Sequence, residues 1–354
     1  MPSACRSSLF SLALTGALWV CGPAAAPATV MTPRDLLRTV AQFTDDEWGM
    51  VEHGLAVAKV LDTDTREVAI AGAVRIHGTR DKLVTRYRDL AVLKGSAAVL
   101  DAGRFSPAPT PADLQPVTFE EYSLDVRNCR PGDCHVRLGA DDISRFHKEV
   151  NWNGADWREQ SARVWRDVLA RYAAAYLSNG RKALPDYVNK REALSVASEV
   201  SLLTSDYGFL PSYSPELAAY LRDFGPNPPP GTQHMLYWTR EDFGIRPIFR
   251  ISHQVILQVS GAAPSTLIAT NQVYADHYLD AALTVTMALE SPGQPPANAA
   301  QARDFYVISV SRARTRSLSG LLRRFARSTV QSRSRETMRK ILASTKAAIE
   351  SQRP

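Results

Sequence analysis

The stretch Ser265–Glu290 constrains the fold more than any other part of the sequence, because apolar and polar residues alternate along it. Apolar residues take most of the odd-numbered positions, and glutamine, tyrosine, aspartate and threonine take many of the even ones. Alternation with a period of two is typical of strands in an antiparallel sheet with one covered face. The stretch therefore predicts one long strand or two nearly continuous ones.

Strand-like segments on both sides of this stretch extend the predicted sheet. Leu55–Leu61 and Glu67–Ile76 are joined by a polar turn, which predicts a hairpin. Residues 251–259 alternate with the same period, and Phe305–Val310 predicts a final strand. Thr79–Leu90 instead has apolar residues at helical spacing. Together these segments predict an α+β chain with an antiparallel sheet.

Two proline-rich stretches, residues 106–116 and 226–230, interrupt the strand pattern. The segment between them favours helices, at Trp157–Ser178, Arg181–Thr204 and Pro215–Phe224. We therefore predict that residues 106–233 form a mainly helical insertion that packs on the sheet. We assign it to the same single domain as the sheet, residues 29–354.

The N-terminal residues have the pattern of a secretory signal peptide. Arg6 precedes the apolar run Leu9–Val20, small residues follow it, and cleavage after Ala28 fits best. The apolar run is short for a bilayer span. We therefore expect residues 1–28 to be removed and the protein to be periplasmic or extracellular, with a retained N-terminal anchor as the alternative.

Outside the signal segment the chain has two cysteines, Cys129 and Cys134, on either side of an Arg-Pro-Gly-Asp turn. In an oxidising compartment this spacing favours a local disulfide. A redox site would favour Cys-x-x-Cys, and a zinc site would need further ligands beside His135. We predict a structural disulfide and no metal site.

The positive charge of the chain is concentrated at its C-terminal end. The formal net charge is +6, yet residues 312–354 contain twelve lysines and arginines against two glutamates. Leu318, Leu321, Leu322 and Phe325 form an apolar stripe in a predicted helix over residues 318–350. The arginines around the stripe fit an anionic membrane surface, and those predicted to bind it are Arg316, Arg323, Arg324 and Arg327. The alternative is that the stripe docks on the sheet while the arginines are solvated.

Nucleic-acid binding is disfavoured, because interleaved aromatic residues are missing.

The order of elements resembles the helix-grip fold of START-like lipid-binding proteins and polyketide-cyclase relatives. The segments that carry this resemblance are Val68–Ile76 with the helix Thr79–Leu90, the strands Ile251–Val310 and the C-terminal helix Leu318–Glu350. The chain is also similar to exported bacterial proteins of unassigned function. The resemblance implies an α+β fold in which a curved antiparallel sheet grips a long C-terminal helix around an apolar cavity.

Four residues of the predicted strands are candidates for ligand contacts. His253 and His277 fall on apolar strand faces, where a curved sheet with a cavity would bring them into one pocket. Tyr274 and Tyr278 have the opposite parity and, with Gln272 and Asp280, would line a groove under the insertion, whereas Asp276 should point away from His277. The alternative for all four is packing inside the sheet or between the sheet and its covering layer.

The sequence contains no Gly-x-Ser-x-Gly, phosphate-binding glycine loop or His-Glu-x-x-His motif. We therefore expect an exported, non-enzymatic binder of an apolar ligand such as a lipid or isoprenoid, without a cofactor, held between the sheet and the C-terminal helix. The alternatives are a cyclase- or hydrolase-type enzyme that uses a cavity histidine as general base, and a structural envelope protein.

Overall fold

The chain is built around one curved, open antiparallel sheet of eight strands. The computed structural model describes residues 30–95, 98–242, 246–260, 264–290, 298–316 and 323–351, with only the backbone for 323–326. The described strands are β1 (Val57–Val60), β2 (Glu67–Gly78), β3 (Val99–Arg104), β4 (Gln233–Glu241), β5 (Ile248–Val259), β6 (Ser265–Ala275), β7 (Ala281–Glu290) and β8 (Arg303–Arg314). Their order across the sheet is β1-β2-β8-β7-β6-β5-β4-β3. The α+β fold class predicted from the sequence is therefore confirmed.

The alternating stretch forms the neighbouring strands β6 and β7, which are joined by residues 276–280. Leu267 lies opposite Met287, and Ala269 lies opposite Val285, so the odd-numbered residues of both strands share one face. The sequence predicted either one long strand or two nearly continuous strands, and the structure has two.

Ten α-helices accompany the sheet in the described residues. They are α1 (Pro33–Ala41), α2 (Asp45–Glu52), α3 (Arg80–Arg88), α4 (Leu90–Lys94), α5 (Glu120–Arg127), α6 (Ala140–Glu149), α7 (Trp157–Asn179), α8 (Val196–Ser205), α9 (Pro215–Asp223) and α10 (Arg323–Ser351). The helix predicted at Arg181–Thr204 was too long, because only its last part, α8, is α-helical. The eight strands followed by α10 are compatible with a helix-grip-like arrangement.

The two faces of the sheet pack against different parts of the chain. The face that we call the insertion face bears the odd-numbered apolar residues, and α5 to α9 pack over it in one large core. The opposite face, which we call the α10 face, carries α3 and α10 in a smaller core. The expectation of a single covered face was wrong, since Thr266 and Thr286 on the even-numbered side are also buried.

A bulge in β6 changes the side to which its last residues point. Ile251 pairs with Tyr274 while the next residue, Ser252, pairs with Gln272, so Val273 is the extra residue. One inserted residue reverses the alternation that follows it. Tyr274 therefore packs on the insertion face, opposite to the side that strict alternation predicted.

The predicted disulfide is present. The sulfur atoms of Cys129 and Cys134 lie 1.97 Å apart, and both residues are buried. The turn between them, with Gly132 at φ +88°, donates a backbone hydrogen bond to Val188. A disulfide at this place is consistent with export.

Some predictions fall beyond the described part of the chain. Residues 1–28, Leu318, Leu321 and Leu322 lie outside the described residues, as do the side chains of Arg323, Arg324 and Phe325. Within the ranges that the structure covers, no helix has the length and apolar character needed to cross a bilayer.

Candidate functional site

The α10 face changes character from one side of the sheet to the other. On β2 the side chains are apolar, and Val74 and Ile76 belong to one core with Leu342 and Ile349 of α10. On β5 to β8 the same face carries polar residues that are at most 4% exposed: Ser252, Gln254, Thr266, Gln272, Thr286 and Ser309. A buried polar surface thus lies beside a buried apolar one.

Part of this polar surface has hydrogen-bond partners within the protein. The hydroxyls of Thr286 and Ser309 lie 2.9 Å apart across β7 and β8. The side-chain oxygens of Gln254, Thr266 and Gln272 have no hydrogen-bond partner. Because buried polar groups are nearly always hydrogen-bonded, these three oxygens mark a place where further partners would bind.

The two glutamines lie close enough to act together. Gln254 pairs with Thr270 on the adjacent strand, so Gln272 is its diagonal neighbour on the same face. The Cα atoms of diagonal neighbours are about 7 to 8 Å apart, a separation that one small molecule spans. Their two amide oxygens therefore form the centre of a candidate binding surface.

Helices α3 and α10 are fixed at the border of this surface. Cβ atoms at Gly72 and Gly78 would collide with Leu342 and Ile349, so glycine at both positions allows α10 to lie directly on β2. Asp81 of α3 accepts a hydrogen bond of 2.8 Å from Gln258 on β5. The border of the candidate surface is thus defined by packed helices.

His253 lies on the insertion face. Its Nδ1 is 3.0 Å from the Tyr176 hydroxyl and its Nε2 is 3.4 Å from Nδ1 of His234. Burial, together with the nearby His234, lowers the pKa of His253 to about 3. A neutral imidazole between these partners fits the alternative of a hydrogen-bonded histidine within the core.

His277 lies in the β6–β7 connection, where the chain has left the strand. Its Nδ1 is 3.1 Å from Oδ2 of Asp276, so the expectation that Asp276 points away from it was wrong. The reason is that β6 ends at Ala275, and strand alternation no longer applies to residue 276. His253 and His277 have different hydrogen-bonding and ionic neighbours, Tyr176 and His234 for the first and two aspartates for the second.

Tyr274 and the β6–β7 connection are held by Arg137 from the insertion. The hydroxyl of Tyr274 donates to the Arg137 carbonyl at 3.0 Å, and the Arg137 guanidinium bonds the Leu279 carbonyl and, at 2.6 Å, Asp280. Burial lowers the pKa of Arg137 and raises that of Asp280, although each charge opposes the shift of the other. Tyr278 takes a left-handed conformation, φ +54°, in the same connection. Tyr274 therefore joins the sheet to its covering layer.

Two of the arginines predicted to bind membrane have partners within the protein. Arg327 donates to the carbonyls of Thr63 and Glu67, both at 3.2 Å. Arg316 donates to the Glu192 carbonyl at 3.3 Å. Nearby, Arg314 pairs with Glu199 of α8 at 2.7 Å, which fastens the insertion to β8. Arg316 and Arg327 thus contribute to intramolecular contacts at this end of the sheet.

Of the residues that now stand out, Gln272 was considered with Tyr274 and Tyr278 as part of a groove, whereas Gln254 and Arg137 were not proposed as site residues from the sequence. A glutamine in an alternating strand looks like a solvated residue, and its burial depends on helices distant in the chain. No group of three or more potential metal ligands occurs within the described ranges. Comparison with family models, curated proteins and solved structures found no match.

Proposed function

We propose that this protein is an exported binding protein for an amphipathic, lipid-like small molecule, held on the α10 face of the sheet. The observation that carries the proposal is the pair of buried glutamines, Gln254 and Gln272, whose side-chain oxygens lack hydrogen-bond partners. Hydroxyl or amide groups of a ligand would supply the missing donors. The helix-grip-like order of elements supports the same location.

The ligand expected from the sequence was purely apolar, and the arrangement of the two faces favours a different chemistry. The apolar face of β5 to β8 is filled by the insertion. The α10 face combines Ile256 and Ile268 with the polar side chains beside them. A molecule with a hydrocarbon part and hydrogen-bonding groups matches both.

Native mass spectrometry of the purified protein, followed by solvent extraction, tests the proposal. We expect a co-purified molecule with at least one hydroxyl or amide group, because an ionised carboxylate has no proton to donate. After delipidation, dodecanol should displace a fluorescent fatty acid more effectively than dodecane. A hydrogen bond worth about 0.5 to 1.5 kcal/mol corresponds to an about two- to tenfold preference. No bound molecule and no displacement by either compound would reject the proposal.

A further inference from the structure

A second group of buried polar atoms lies where α5 of the insertion meets the β6–β7 connection. Asp276 is 1% exposed and His277 is 9% exposed. Oδ2 of Asp276, both ring nitrogens of His277 and the hydroxyl of Tyr122 lack hydrogen-bond partners. The two nitrogens nevertheless lie near carboxylates, Nδ1 at 3.1 Å from Asp276 and Nε2 at 3.7 Å from Asp125 of α5. The imidazole is thus placed between one carboxylate of the sheet and one of the insertion.

Both carboxylates are fixed by other bonds. Oδ1 of Asp276 accepts a 3.0 Å hydrogen bond from the backbone nitrogen of Phe249. Oδ1 of Asp125 accepts a 2.8 Å hydrogen bond from Arg246, whose guanidinium also contacts Oδ2. If either Asp276 or Asp125 turned away from the imidazole, it would lose one of these hydrogen bonds.

With a neutral imidazole, the group of Asp276, His277 and Asp125 lacks one proton. A neutral imidazole has one N–H and one lone pair, so one of its nitrogens would face a carboxylate with no proton between them. Arg246 balances the charge of Asp125, which leaves Asp276 as a buried carboxylate beside His277. One additional proton, on the imidazole or on Asp276, makes the group neutral. Burial raises the pKa of Asp276, an effect that the contact with His277 opposes.

We propose that Asp276, His277 and Asp125 together retain one proton at neutral pH and that this proton fastens α5 of the insertion to the β6–β7 connection. The group acts as a pH-dependent latch, which closes when protonated and loosens when the proton is lost. The latch goes beyond ligand binding and does not depend on it.

The other charged and titratable groups around the latch do not replace the proton. They are Glu121 and Tyr122 on α5, Arg240 on β4, Arg246 before β5, and Arg137, Tyr274 and Tyr278 around the connection. Arg137 is paired with Asp280, and Arg240 donates to the hydroxyl of Thr118. Glu121 is exposed and negative, so it supplies no compensating charge. Deprotonation therefore leaves Asp276 as an unbalanced charge in a buried site.

Hydrogen–deuterium exchange over a range of pH tests the latch. The exchange rates of amides in α5 are divided by those in α9 of the same molecule, which cancels the ordinary base catalysis of exchange. A closed state that holds one more proton than the open state changes the opening equilibrium by up to about tenfold per pH unit. We expect the α5 to α9 ratio to rise from about pH 5 to about pH 9, because the closed state is the one that holds the additional proton.

The variant Asp276→Asn separates the latch from simple packing. Asparagine still accepts from Phe249 through its oxygen and donates to Nδ1 of neutral His277 through its amide, so the closed state no longer needs the proton. The pH dependence of the ratio should be lost in this variant and kept in Asp141→Asn, an exposed control in the same insertion. Equal pH dependence in wild type and Asp276→Asn contradicts the latch. If Asp276→Asn does not fold, a pH-independent ratio in the wild type contradicts it equally.

Discussion

The two faces of the sheet differ although the same strands build them. On β5, Val255 points into the insertion core, while its neighbour Gln254 points to the α10 face without a partner for its oxygen. On the insertion face, Phe249 of β5 packs against Phe119, which stacks on Trp165 of α7. The α10 face has comparable burial on the central strands but polar side chains.

Apolar alternation thus identifies the core of this protein rather than its candidate ligand surface. A sheet covered on both sides uses its apolar face to hold the larger layer, here the insertion. The polar residues of the other face then become informative, because burying them without hydrogen bonds is unfavourable unless something else binds them. The predictions below test this division between the faces.

The largest effect is expected where the insertion is fastened to the sheet. Arg137→Met should destabilise the protein by about 3 kcal/mol, because Asp280 loses its 2.6 Å buried partner and keeps only the longer contacts with Arg66 at 3.6 Å and Arg316 at 3.7 Å. The double variant Arg137→Met, Asp280→Leu should recover much of this loss. Urea denaturation measures both. A cost below about 1 kcal/mol for the single variant, the level of a surface ion pair, would show that the contact is not a buried clamp.

The packing of the insertion face is tested by Leu283→Ala. Leu283 is fully buried in the insertion core, and truncation should lower the free energy of unfolding by about 2 to 5 kcal/mol. The comparison on the α10 face is Thr286→Val, which removes the side-chain hydrogen bonds to Ser309 and Tyr87 and should cost about 0.5 to 1.5 kcal/mol for each. Equal losses at the two positions would remove the distinction between the faces.

His253 makes the stability of the insertion core depend on pH. Its pKa is lowered to about 3 in the folded protein, from an ordinary value of 6.5. The unfolded state therefore gains a proton below pH 6.5 that the folded state does not take up until about pH 3. Stability should fall with decreasing pH in this window, by at most about 1.4 kcal/mol per pH unit. His253→Gln should reduce this slope in denaturant titrations, and an unchanged slope would assign the acid sensitivity elsewhere.

The membrane-binding prediction divides the four arginines into two pairs. Arg316 and Arg327 bind carbonyls of the protein, so their replacement by glutamine should affect the melting temperature more than membrane binding. Arg323→Gln with Arg324→Gln should weaken co-sedimentation with anionic vesicles at low salt by about 1 kcal/mol per residue. Neutral vesicles serve as the control. Unaltered binding to anionic vesicles by the second pair would contradict a membrane role for these residues.

The sequence predicted most strands of the sheet, because they alternate and their turns are marked by polar residues or proline, but it did not predict β4. It also predicted the disulfide pairing and the helix α7, whose apolar residues recur at helical spacing. It did not predict which layer covers which face. That choice depends on contacts between distant segments, such as Gly72 and Gly78 with α10, and no local pattern records it.

The candidate sites were less predictable than the fold. Alternation assigned Tyr274 to the wrong face because the bulge at Val273 is not visible in the pattern. Asp276 was placed away from His277 because the end of β6 was extended too far. The burial of Gln254 and Gln272 depends on tertiary packing, since glutamine on a strand is ordinarily a surface residue.

The double variant Gln254→Leu, Gln272→Leu tests the central claim most directly, when ligand occupancy and stability are measured on the same samples. Leucine fills a similar volume and removes the unpaired oxygens, while one hydrogen bond of 3.1 Å from the Gln272 amide to the Leu279 carbonyl is lost, so the ligand-free variant should be within about 1.5 kcal/mol of the ligand-free wild type. The co-purified molecule seen in wild-type protein by native mass spectrometry should be lost or strongly reduced, whereas Gln233→Leu, at an exposed position of β4, should retain it. Full occupancy in the double variant, or a wild-type protein that carries no ligand, would contradict the account.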